Sequence, residues 1–68
     1  MLVYKVKVKA FNPSLGQNGR TDESEHLVFA DDMTQALNYV SAMLRDGGWK
    51  PEEIRGTRVW LHDIRSLA

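Results

Sequence analysis

The raw material for chemistry in this 68-residue chain is two histidines, four serines, nine carboxylates and no cysteine. Without a thiol there is no cysteine nucleophile. His62-Asp63 resembles a base beside its orienting carboxylate, but neighbours on a strand point to opposite faces and do not pair as a dyad. Ser14, Ser24, Ser41 and Ser66 fall in loops, on a helix and in the tail, without a nucleophile-elbow context. Glu52 and Glu53 follow Pro51 and suit the start of a helix better than acid–base work. His26 and His62 are the strong neutral metal ligands, and with Glu25 or Asp63 they make an incomplete set for zinc. Gly16, Gly19, Gly47 and Gly48 lack the spacing of a phosphate loop, and Gly47-Gly48 closes a helix instead of opening one. The expectation is a non-enzymatic protein with no cofactor, no metal and no small-molecule substrate.

The elements that carry these residues are easier to read. Asp32 is a good N-cap, and Gln35 three positions later completes a capping box. Met33, Ala36, Leu37, Val40, Met43 and Leu44 then recur on one helical face, and Gly47-Gly48 supplies a left-handed stop. Before this helix, residues 2–11 alternate strictly. Leu2, Tyr4, Val6, Val8 and Ala10 point one way, and Val3, Lys5, Lys7, Lys9 and Phe11 the other, as in a strand with one buried face. Residues 12–24 carry Pro13, Gly16 and Asn18-Gly19 and read as a long flexible connection. Residues 25–30 form a second strand. The preferred register turns Val28 and Ala30 to the helix and leaves Leu27 and Phe29 outside; a one-residue slip would exchange the two sets. Residues 49–54 read as a short helical turn in which Trp49 and Ile54 close one end of the core, with Gly56 as its breaker. Residues 57–64 form the third strand, with Val59 and Leu61 on one side and Arg58, Trp60 and His62 on the other.

The resulting fold class is α+β, in the order β-β-α-β. It is a single domain spanning residues 1–68, with a three-stranded sheet of order 2-1-3 and one helix on one face. The right-handed crossover makes the third strand parallel to the second. So small a domain buries only about 60% of the surface of its unfolded chain. The zero formal net charge argues against a protein held on nucleic acid by bulk electrostatics. No apolar run approaches the roughly 18 residues of a membrane span, and no leader pattern follows Met1, so a cytoplasmic protein is expected.

One helix leaves one sheet face uncovered, and that face is the informative feature. Lys5, Lys7, Lys9, Leu27, Phe29, Arg58, Trp60 and His62 are expected on it as partner-binding residues. Interleaved lysines and aromatics admit a merely solvated face, a protein contact or a single-stranded nucleic-acid platform. The protein contact ranks first, with a heterologous target or a homodimer through the same face as its two forms. Nucleic acid ranks second, because Asp22, Glu23, Glu25, Asp31 and Asp32 set negative charge along the second strand and no nucleic-acid signature is present. Those acids also admit a surface for a basic partner, as in a DNA mimic. In size and style the chain is similar to small phage and mobile-element proteins that bind and block a host machine, anti-CRISPR proteins among them. That likeness implies a stoichiometric inhibitor and rests on no particular residue.

Overall fold

The computed structural model describes residues 2–60. Its elements are β1 (Leu2–Asn12), β2 (Arg20–Ala30), α1 (Met33–Asp46) and β3 (Lys50–Val59), in that order. The strands form one sheet of order β2-β1-β3, with β1 antiparallel to both neighbours. This is the α+β, β-β-α-β fold expected from the pattern. Among the described residues, no helix is long and apolar enough to cross a membrane.

The core lies between α1 and one face of the sheet. Tyr4, Val6, Val8 and Ala10 of β1 and Ala30 of β2 meet Ala36 and Val40 of the helix, all buried. Strict alternation puts every second β1 residue here, so the central strand supplies most of the sheet's contribution. Leu2, Val28, Met33, Leu37, Leu44, Trp49 and Ile54 pack around this centre half-buried. Trp49 and Ile54 thus join the core as expected. Met43, expected on the buried stripe, is exposed.

Local chemistry delimits the helix. The Asp32 carboxylate accepts from the Gln35 N–H at 2.8 Å, and Gln35 Oε1 accepts from the Asp31 N–H at 2.7 Å. This is a capping box displaced by one residue on its returning arm. At the other end, the Trp49 N–H donates to Leu44 O and the Gly48 N–H to Arg45 O, with Gly48 at φ 87°. That paired arrangement is a Schellman stop, and the left-handed residue at its centre is best tolerated as glycine. Asn12, the one buried polar residue among those described, donates from Nδ2 to Gly47 O at 3.3 Å and accepts from the Ser14 N–H at 2.9 Å. The end of β1 is thereby tied to the end of α1 and to the hairpin turn.

Several expectations are corrected. The connection after β1 is short, because β2 begins at Arg20 and not at residue 25, and β1 pairs with it continuously from Leu2↔Ala30 to Asn12↔Arg20. Residues 20–24 read as loop because their side chains are polar. They are strand because the adjacent backbone of β1 satisfies theirs, and exposure removes any need for apolar side chains. Second, residues 50–54 form no helical turn; they are the first half of β3. Pro51 is tolerated there because β3 is an edge strand. The register shifts between Lys9↔Glu53 and Ala10↔Pro51, leaving Glu52 as the extra residue of a bulge. Gly56 does not break the element. Opposite Val6, it lies against the helix, and a Cβ there would run into the Met33 side chain and lie 3.2 Å from Leu37 Cδ2. The third strand, expected over residues 57–64, runs instead over Lys50–Val59, and residues 61–64 lie outside the described residues.

Candidate interaction surface

The pairing register lays out the face away from α1 row by row. Phe29, Val3 and Val59 form the first row, and Leu27, Lys5 and Thr57 the second. Glu25, Lys7 and Arg55 form the third, then Glu23, Lys9 and Glu53. Directly opposed residues share a face, so each row is a set of neighbours.

The first row is apolar, and Leu27 extends it into the second, beside Lys5 and Thr57. Phe29 is 60% exposed and Leu27 is 52% exposed, while Val3 between Phe29 and Val59 is buried. Helix packing cannot explain a patch on this side, and two large side chains adjacent on one strand are more than a stray exposed residue. The next two rows are a mixed-charge ladder. Lys5 Nζ lies 3.3 Å from Glu25 Oε1, Lys7 stands between Glu25 and Arg55, and Lys9 between Glu23 and Glu53. Side chains of Lys7, Glu23, Glu25, Glu53 and Arg55 line a shallow open depression here. Phe11 ends the face at the hairpin, where a Cβ on Gly19 would collide with its ring. It belongs to the turn and not to the patch.

Of the residues expected on this face, Lys5, Lys7, Lys9, Leu27 and Phe29 are there, in the preferred register of β2. Arg58 is not. It pairs with Tyr4, which faces the helix, and lies two residues from Gly56, which meets Met33. Trp60 follows the end of β3, and the Arg58 guanidinium stacks 4.3 Å from its ring centroid. The two form a cation–π pair of the kind that steadies an exposed arginine. Both therefore leave the list for the open face. His62 lies outside the described residues, as do Asp63 and the strand expected beyond residue 60.

Sequence reasoning missed Arg55, Glu53, Thr57 and Val59 as residues of this face. The usable signal was Ile54: counting by twos from this core residue puts Gly56 and Arg58 inside and Arg55, Thr57 and Val59 outside.

The helix side of β2 brings other polar groups together. Ser24 Oγ and His26 Nε2 are 2.9 Å apart, and Arg20 Nε lies 3.0 Å from Asp22 Oδ2. With Ala10, Leu44 and Trp49 they line a shallow groove beside the end of α1. Ser24 and His26 have the spacing of a nucleophile and its base. Asp22 would be the nearest orienting carboxylate along the strand, but it is engaged by Arg20 and lies beyond Ser24, not behind the ring. The pair is read here as a hydrogen bond between exposed neighbours. Among the described residues, no group of three or more His, Cys, Asp and Glu side chains is placed to hold a metal. Comparison with protein-family models, curated proteins and solved structures finds no match to this chain.

Proposed function

We propose that this protein is a non-enzymatic protein-binding module that acts stoichiometrically through the uncovered face of its sheet. The observation that carries this reading is the exposed pair Leu27 and Phe29, joined to Val3 and Val59 at the end of the face that the helix does not cover. Apolar and aromatic side chains grouped beside a charged rim are the composition of a contact centre. The activity that suits so small a stoichiometric binder is inhibition of a larger machine, as in the phage and mobile-element proteins it is similar to in size.

The mixed-charge rows rank single-stranded nucleic acid second. Lys5, Lys7, Lys9 and Arg55 would meet phosphates, but Glu23, Glu25 and Glu53 stand among them. A phosphate track needs uncompensated positive charge. With Arg58 on the helix side and Trp60 stacked against it beyond the end of β3, that face also lacks the cation and the stacking platform expected of them.

The test is capture of partners from host lysate by the tagged protein, with and without nuclease, read by mass spectrometry. A stoichiometric protein retained after nuclease is the expected result. Loss of all bound material on nuclease treatment, with binding that falls steeply as salt rises, would overturn the protein reading in favour of nucleic acid.

A further inference from the structure

The two edges of the sheet are not alike. The β3 edge is interrupted by Pro51 and the bulge at Glu52, devices that blunt an edge against further pairing. The β2 edge has none of them. It runs eleven residues without proline, glycine or bulge, and of these only Ala30 is buried. Among the described residues nothing pairs with its outer side, and the backbone groups there form a continuous template for another strand.

The side chains along β2 state what that strand must carry. On the open face the order is Glu23, Glu25, Leu27, Phe29. On the inner side, β1 already answers it in kind, with Lys9 opposite Glu23, Lys7 opposite Glu25 and Val3 opposite Phe29. Among the described residues, no strand lies on the outer side of the same residues. A second copy pairing β2 with β2 answers it badly. A two-fold centred on Val28 matches Leu27 with Phe29 but pairs only residues 26–30 and leaves Glu23 and Glu25 unanswered, and one centred on Glu25 opposes that residue to itself. Centring on Leu27 puts Glu25 against Phe29. These registers leave Glu23 and Glu25 without a basic partner, or set an acid against an acid or an apolar group, which destabilises a cross-strand pair.

We propose that the β2 edge takes up an extended segment of a partner protein by strand addition. On its open-face side that segment carries two basic residues at alternate positions, opposite Glu23 and Glu25. Two aliphatic or aromatic residues at alternate positions lie opposite Leu27 and Phe29. Main-chain hydrogen bonds supply affinity and the alternating side chains supply selectivity. This deepens the protein-binding reading and rests on it, since the added strand would extend the same apolar end of the face.

The experiment uses a synthetic peptide and the isotope-labelled protein in nuclear magnetic resonance titration. The probe is a capped eight-residue peptide with isoleucine at its first and third positions, lysine at its fifth and seventh, and threonine between. A second peptide has glutamate in place of both lysines. The expected result is shift changes confined to β2 and its neighbours, with slowed hydrogen exchange at alternate β2 amides. The double variant Glu23→Lys/Glu25→Lys should weaken the lysine peptide about tenfold and bind the glutamate peptide instead, because both cross-strand pairs change sign. No shift at millimolar lysine peptide, shifts centred on β3 or α1, or an affinity indifferent to the charge reversal would each overturn the proposal. The broader reading fails separately: it falls if replacing Leu27 and Phe29 leaves partner capture unchanged, whatever the peptide does.

Discussion

The two faces of this one sheet are built from the same strands and do opposite things. On the helix side, Tyr4, Val6, Val8 and Ala10 are buried against Ala36 and Val40. On the other, Lys5, Lys7 and Lys9 alternate with those same residues, and Leu27 and Phe29 stand in solvent. Since successive residues of a strand belong to different faces, neighbouring positions can differ completely in consequence. Substitutions on the covered face should unfold the protein, and those at the exposed positions of the open face should leave it folded and change what it holds.

The largest effect is expected at Tyr4. Tyr4→Ala empties a buried aromatic site and should cost ~3 kcal/mol, a large share of the stability of so small a domain, measurable by urea denaturation. Asn12→Asp comes next, at ~2 kcal/mol by the same measurement. It replaces the amide that donates to Gly47 O with a carboxylate, putting a buried negative charge at the negative end of the helix. Gly48→Ala forces a Cβ onto a residue at φ 87° and should cost ~1 kcal/mol, seen as a fall of about 4–8 °C in Tm. On the open face, Phe29→Ser removes one cross-strand pair with Val3 and should cost at most about 1 kcal/mol. Smallest is Glu25→Gln, which breaks the ion pair with Lys5 between two half-exposed to exposed side chains and should change stability by less than about 0.5 kcal/mol. If Phe29→Ser proved as damaging as Tyr4→Ala, the contrast between the faces would collapse.

The same contrast explains what could be read from the sequence. β1 and α1 were legible because each has one face in the core, and burial writes a period of two or of 3.6 into the residue types. The facing of β2 was legible at its far end, where the small Ala30 must fit beneath the start of α1. Its first half was not, because exposed strand residues are under no pressure to be apolar and look like loop. β3 was misread for a different reason. Pro51-Glu52-Glu53 imitates a helix start and Gly56 imitates a breaker, whereas pairing with β1 decides the first and close approach of Met33 the second. Local propensity was overridden by tertiary contact at both places. The misplaced Arg58 and Trp60 follow from that error, since counting alternation from Val59 instead of Ile54 inverts the strand.

The most direct measurement compares partner capture and folding stability in one double variant, Leu27→Ser/Phe29→Ser, using nuclease-treated lysate and a denaturation curve on the same preparation. The expected result is loss of the captured protein while the variant keeps a cooperative unfolding transition close to that of the parent. Undiminished capture by a folded variant would contradict the assignment of the open face as the functional surface. So would loss of the folded state itself, because it would show that Leu27 and Phe29 belong to the core and not to the contact.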